Sequence, residues 1–239
     1  MIILFILNIF ENFLFPDFTI TTHKFNPANL VEQKFCLTLG GIEKFGISEL
    51  RVWNADLQFR SFSLKLSSFG NELYRENFLE FAGGFLLYRT ISGGISLGFL
   101  NNWIKEYTNR YAYTIKLGGT FFVSNLKFDL CLNNVNYPRF SNTDFLPLSY
   151  VIGFNYNVSG QIEPYCYVMG EGKNRPFLKL GAIIKVTRLF ELSTGISTEN
   201  FLFDYGMRIY LGRIFLDYSG SSHRQLGLTH AIFINIIKL

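Results

Sequence analysis

The sequence predicts an all-β protein, a transmembrane antiparallel up-and-down β-barrel of about 14 strands, on three observations. The first is a period-two alternation of apolar and polar residues along most of the chain, which places successive side chains on opposite faces of a sheet. The second is composition: of 239 residues, 49% are hydrophobic, 18% aromatic and only 17% charged. An average soluble domain carries about 25% charge, so something other than water is expected to touch much of the surface. The third is turn chemistry recurring at the spacing of membrane strands, about fifteen residues per strand with its connection. No stretch reaches the ~18 uninterrupted apolar residues of a membrane-spanning helix.

Residues 1–15, MIILFILNIFENFLF, open with an apolar run of the length of a secretory h-region. No Lys or Arg precedes it, and no small-x-small cleavage site precedes Pro16. Residues 1–25 are read as a signal-like apolar N-terminus with a short lead-in, and residues 26–239 as one barrel. Export to the bacterial outer membrane is the expectation.

The strands follow in order. Phe62, Leu64 and Leu66 alternate with Ser63 and Lys65, and in 91–100 Ile95, Leu97 and Phe99 oppose Ser92, Gly94, Ser96 and Gly98. Tyr113, Ile115 and Leu117 oppose Thr114 and Lys116. In 126–133, Leu126, Phe128, Leu130 and Leu132 oppose Lys127, Asp129, Cys131 and Asn133. Tyr150, Ile152 and Phe154 face away from Ser149 and Gly153, and Leu178, Leu180, Ile184 and Val186 away from Lys179 and Lys185. Phe190, Leu192 and Ile196 oppose Glu191, Ser193 and Gly195, and Phe203, Tyr205 and Met207 oppose Asp204, Gly206 and Arg208. The last strand has competing parities, Ile232, Ile234 and Ile236 against Ala231, Phe233 and Ile237, which predicts a bulge. Turns are expected at Gly70-Asn71, Asn101-Asn102, Ser159-Gly160, 170–173 and 219–222.

Alternation alone does not say whether the apolar face meets a core or lipid. A closed sheet of about fourteen strands has a lumen too wide for short side chains to fill, so its inner face can be polar and wet. The polar face here is rich in Gly and Ser, with charges at Lys65, Glu80, Lys116, Lys127, Asp129, Lys179, Lys185, Glu191, Asp204 and Arg208. These ten are the candidate lumen-lining residues. Asp204 and Arg208, four apart on one face, read as wet lumen residues, with a tie across the inner wall as the alternative. Trp103, Tyr111, Tyr150, Tyr156, Tyr210 and Tyr218 suit the boundary between membrane and water. A soluble β-sandwich scaffold is the alternative.

Catalytic, cofactor and metal sites are not expected. The three cysteines, Cys36, Cys131 and Cys166, have neither CxxC nor His spacing. The histidines are His23, His223 and His230, with no His-x-x-x-His pair. Gly94-Ile95-Ser96-Leu97-Gly98 spells Gly-x-Ser-x-Gly, but inside a strand, where the sharp nucleophile elbow cannot form. His230 reads as a structural hydrogen-bonding group and His223 as a turn residue. The net charge of +4 is scattered, with no stripe for a phosphate backbone, so nucleic acid is excluded as a partner. Gly93-Gly94 and Gly118-Gly119 are read as serving strand curvature or close approach of a plug.

Several short motifs resemble the PorV-like outer-membrane barrels, relatives of the FadL-like long-chain fatty-acid transporters. They are Asn26-Pro27-Ala28-Asn29-Leu30 before the first strand, Tyr74-Arg75-Glu76, Asn133-Asn134 through Pro138, Leu146-Pro147, and Asp217-Tyr218 with Leu226-Gly227-Leu228-Thr229-His230. The resemblance implies a FadL-like barrel with Asn26, Pro27 and Ala28 as a gate or an N-terminal turn. Only 25 residues precede Asn26, so a full N-terminal hatch is not expected. It further implies a non-enzymatic channel or transporter for small or hydrophobic solutes, without cofactor, whose partners are outer-membrane lipid and a small-molecule or hydrophobic ligand. The alternative within the family is a cargo-binding shuttle with a secretion-system partner.

Overall fold

The computed structural model describes residues 26–32, 35–107, 109–141, 144–199, 202–223 and 226–237; the signal-like residues 1–25 lie outside them. A short 3-10 turn, Pro27–Glu32, is followed by fourteen strands. These are β1 (Phe35–Glu43), β2 (Arg51–Phe59), β3 (Phe62–Gly70), β4 (Tyr74–Tyr88), β5 (Ile91–Ile104), β6 (Arg110–Val123) and β7 (Leu126–Asn133). They continue as β8 (Ser149–Tyr156), β9 (Ile162–Glu171), β10 (Phe177–Thr187), β11 (Phe190–Ser197), β12 (Leu202–Leu211), β13 (Ile214–His223) and β14 (Gly227–Ile237). Each pairs antiparallel with the next, and β1 closes on β14 from Cys36 opposite Ile237 to Glu43 opposite His230. A closed barrel leaves no sheet edge, so the sandwich alternative is set aside.

The two ends differ. Connections such as 60–61, 89–90, 124–125, 188–189 and 212–213 make one end tight, and both ladder shifts lie there, beside Leu86/Tyr88 and Lys185/Thr187. The opposite end carries longer loops, among them 44–50 and 134–148. The first described residues and the end of β14 lie toward the tight end.

The outer face is apolar around the barrel. One in-register row runs Ile209, Leu216, Ile234, Leu39, Ala55, Leu66, Leu79, Phe99 and Tyr113 across nine strands. Monomeric soluble proteins rarely expose contiguous apolar surface beyond a few hundred Å². The inner face holds two buried apolar clusters, one built on Ile42, Val52, Phe69, Phe78, Leu100 and Phe233, the other on Cys131, Val151, Tyr165, Tyr167, Met169 and Ile183.

Several expectations are corrected. Asn101 and Asn102 lie inside β5, because β5 pairs with β6 as far as Asn102 opposite Arg110. Residues 219–222 lie inside β13, where Gly220 leaves room for the Tyr205 ring on the neighbouring strand. Gly170 and Glu171 still belong to β9, and the turn begins at Gly172, with φ +53°. No shift interrupts the pairing of β14, whose two apolar parities arise because Ala231 and Phe233 join the inner cluster while Ile232, Ile234 and Ile236 face outward. Tyr210 turns inward, its hydroxyl 3.4 Å from Arg208 Nη1, because it shares the parity of Asp204 and Arg208.

Candidate functional site

The lumen is built from the tight end upward. Asn26 opens a local turn: its Oδ1 accepts the Ala28 N–H at 3.0 Å and its carbonyl accepts the Asn29 N–H at 3.0 Å. Pro27, with φ preset, starts the 3-10 turn. This segment lies inside the barrel against β4, β5 and β6. Asn26 Nδ2 lies 3.0 Å from the Gly119 carbonyl, 3.1 Å from Thr120 Oγ1 and 3.0 Å from Asp129 Oδ1. Thr120 Oγ1 donates to Asp129 or to Asn29 Oδ1, at 2.6 and 2.8 Å. At the other end of the segment Gln58 Nε2 donates to the Leu30 carbonyl at 3.2 Å, so the segment is tied to both β2 and β6.

The seat for this segment is a row of glycines. Gly84, Gly94 and Gly118 are direct cross-strand neighbours on β4, β5 and β6. A Cβ on Gly94 would stand 2.3 Å from the Pro27 carbonyl carbon, on Gly118 2.0 Å from Asn26 Oδ1, and on Gly84 2.8 Å from the Pro27 carbonyl oxygen. Of the two roles open to the Gly93-Gly94 and Gly118-Gly119 pairs, close approach applies to Gly94 and Gly118. Gly119 meets nothing within 4 Å.

The candidate lumenal charges form three groups instead of one wet lining. Lys116 Nζ reaches Glu80 at 2.8 Å across Gly98, and Glu80 stands opposite Lys65, which stands opposite Asp56. Lys179 Nζ reaches Asp204 at 2.7 Å. Arg208 forks onto Asp217, Nε to Oδ1 at 2.6 Å and Nη2 to Oδ2 at 3.0 Å, with Glu191 at 3.9 Å and the Phe215 ring 4.4 Å away. Asp204 therefore reaches across β11 to β10 while Arg208 ties β12 to β13, and the two do not pair with each other. Lys127 and Asp129 are buried, the latter as the anchor of Asn26. Lys65 is half-buried, and Lys185 is exposed where β10 meets its short turn.

Eight of the ten candidates are buried, so the expected wet wall is instead a packed one. Bulky inward residues account for this. The Tyr165 and Tyr167 rings lie over Gly181 and Gly153 on adjacent strands, and Phe69, Phe78 and Phe233 fill the loop end. The buried pairs Lys116–Glu80, Lys179–Asp204 and Arg208–Asp217 each meet at hydrogen-bond distance, which offsets the cost of taking those ions out of water.

Sequence reasoning missed Asp217, Asn235, Asp56, Gln58 and Glu76. Asn235 donates to Asp217 at 3.0 Å and accepts from Thr38 at 2.7 Å, closing the ladder across the β1–β14 seam. Parity with Phe215 and Phe233 would have placed Asp217 and Asn235 inside. Glu76 sits beneath Phe69 and accepts a hydrogen bond from the Tyr74 hydroxyl.

Over the loop end, residues 134–141 and 144–148 fold back on the barrel. Thr114 Oγ1 donates to Asn134 at 2.7 Å, Asn136 pairs with the backbone of β6, and Leu146 N–H donates to the Pro138 carbonyl at 2.8 Å. Leu146 is buried in the upper apolar cluster with Phe140 packed against it, so the loop covers that cluster. The lumen thus has a stoppered polar lower part and a covered apolar upper part. Ser96 is a buried strand serine of β5 whose hydroxyl has no hydrogen-bond partner among the described residues, and the Lys116 opposite it is committed to Glu80; His230 Nδ1 lies 2.9 Å from the Tyr218 hydroxyl on the outer face. Among the described residues no cluster of His, Cys, Asp and Glu could hold a metal ion.

Solved structures share this closed-barrel fold. The chain is similar in fold to the Ralstonia pickettii toluene transporter TbuX (TM-score 0.64, 9% identity, covering 91% of this chain and 93% of that one). It is similar to the CymD monoaromatic hydrocarbon channel (TM-score 0.69, 12% identity, 91% and 92%) and to a Pseudomonas aeruginosa FadL homologue (TM-score 0.57, 8% identity, 95% of each). At these identities the likeness is one of fold. No protein-family model matches the sequence, and no curated protein sequence does.

Proposed function

We propose that the protein is a non-enzymatic outer-membrane channel or transporter for small hydrophobic solutes, gated by residues 26–32. The observation that carries this reading is the division of the lumen. An apolar cluster of inward side chains under the loop between β7 and β8 suits contact with an apolar solute, and below it a short segment fills the lumen on a seat of glycines. Asn26, Pro27 and Ala28 act as the gate: the turn is preformed, and its anchors are a few hydrogen bonds that one motion breaks together. The apolar outer face and the difference between short turns and longer loops support placement in the outer membrane, loops outward. The fold-level neighbours, two of them described as a toluene transporter and a monoaromatic hydrocarbon channel, support the solute class.

The test is reconstitution in liposomes with flux of toluene and of a polar solute of equal size. Flux of toluene above that of protein-free vesicles, raised by Asn26→Ala, is the expected result; equal flux with and without protein would sink the reading. A PorV-like secretion shuttle is the second reading, favoured by the buried ion pairs that close the inner wall. It predicts no solute flux from either protein.

A further inference from the structure

The outer face of the barrel carries a trough of about 490 Å³ near the loop end. Its floor is backbone, at the in-register positions Ser67, Phe78 and Leu100, whose side chains point inward. Leu66, Leu79 and Phe99 form its lower wall. Its upper wall is polar, and the polar groups are wired in one direction: Ser68 Oγ donates to Asn77 Oδ1 at 2.9 Å, and Asn77 Nδ2 donates to Asn101 Oδ1 at 3.2 Å. The relay therefore ends in the Asn101 amide N–H groups, strengthened as donors by the bonds behind them. Trp53 and Tyr111, which flank this rung in register, close the ends.

A second pocket of about 440 Å³ opens directly above and shares Asn77 and Asn101 with the first. It is lined by Arg75, Trp103, Asn109 and Glu72. Arg75 makes no ion pair among the described residues, whereas the neighbouring outer-face Arg51 is held by Glu43. From bottom to top the groove thus offers an apolar bed, an amide donor and a guanidinium. Three polar side chains in a row also break an otherwise apolar outer face, which hydrocarbon alone would not favour.

We propose that this groove is a lipid site, taking one acyl chain along the trough and a phosphate-bearing lipid head at Arg75 and Asn101. The proposal rests on the membrane-barrel reading, but not on solute passage through the lumen. Its occupant is a phospholipid-type amphiphile of the surrounding leaflet, because the trough opens sideways onto the face read as lipid-facing. Arg75 supplies the charge complement and the amide relay the acceptor's partner.

The only two tryptophans of the chain, Trp53 and Trp103, line the two halves of the groove, so bromine quenching of their fluorescence reads occupancy directly. The full chain in phosphatidylcholine nanodiscs receives a small fraction of acyl-brominated phosphatidylglycerol, phosphatidylcholine or stearate. A single Arg near anionic lipid gives about fivefold preference, so phosphatidylglycerol is expected to quench at about one fifth of the phosphatidylcholine concentration. Arg75→Gln abolishes that preference, while Arg175→Gln on the distant β9–β10 loop keeps it; Trp103→Phe leaves Trp53 quenched. Equal quenching by the two phospholipids, retention of the preference in Arg75→Gln, or stronger quenching by stearate than by phosphatidylglycerol overturns the proposal. A heat-dependent gel shift in the same samples tests the membrane barrel separately. Its loss, with no quenching by any brominated lipid, overturns both readings.

Discussion

At the scale of single residues, glycine carries an unusual share of the design. Gly94 and Gly118 are needed for the space a missing side chain leaves, since a Cβ at either would overlap the backbone or side chain of the 26–32 segment. Gly94→Val is therefore expected to displace that segment and raise single-channel conductance in planar bilayers, with the heat-dependent gel shift retained. Gly119→Ala, one residue beyond Gly118 on β6 but facing open space, should leave conductance at the wild-type value. Asn26→Ala removes the anchor on Asp129 and leaves that buried carboxylate with one partner fewer. The cost is about 1.5–3 kcal/mol for a hydrogen bond to a charged group, read as a lower denaturant midpoint alongside raised conductance. Asn26 and the glycines were visible in the sequence as motifs. That they meet was not, because Gly94 and Gly118 stand 68 and 92 residues from Asn26 and only sheet register brings them together.

At the scale of elements, ionic ladders bind neighbouring strands from within. The Arg208–Asp217 fork joins β12 to β13, and Asn235 and Thr38 extend it over the seam between β14 and β1. Arg208→Leu leaves Asp217 buried and uncompensated, a loss of about 3–5 kcal/mol expected in urea unfolding from vesicles. In Arg208→Leu/Asp217→Leu the loss should be smaller than in the single variant, because neither charge is then orphaned. The 134–148 loop shows the same economy at the other end. Leu146→Ala withdraws a buried side chain from the upper cluster, and the expected result is faster solute flux with the barrel intact. Period-two reading placed Arg208 on the inner face but could not name its partner. Residues four apart on one strand are about 13 Å apart, whereas cross-strand neighbours are about 5 Å apart.

At the scale of the whole molecule, the two faces have exchanged the roles they hold in a soluble protein. The apolar residues form a continuous band outside, and the charges are paired within. In a membrane barrel a cation on the outer face costs about 2–4 kcal/mol at mid-strand and about 0–1 near the ends. Leu97→Arg, at the middle of β5, is therefore expected to destabilise strongly in vesicles, and Leu228→Arg, at the loop end of β14, hardly at all. Equal effects at the two sites would contradict lipid contact.

Strand identity, strand number and the inward parity of the charges are properties of the sequence alone, because a side-chain period of two is a local consequence of extended backbone and survives in any sheet. The Asn-Pro-Ala turn is equally local, its hydrogen bonds closing within three residues. Tertiary structure decided the rest. Closure of β1 on β14 placed Asn235 beside Asp217. Register aligned Gly84, Gly94 and Gly118 into a seat, and the bulk of Tyr165, Tyr167 and Phe233 packed an inner face whose openness the sequence left undecided. The same register extended β5 and β13 through residues whose turn chemistry was a false signal, since ladder hydrogen bonds to two neighbours outweigh the preference of an Asn pair or a Ser-Gly-Ser run for a turn. Distance along the chain hides such contacts: each depends on which strands become neighbours, and no local pattern encodes that.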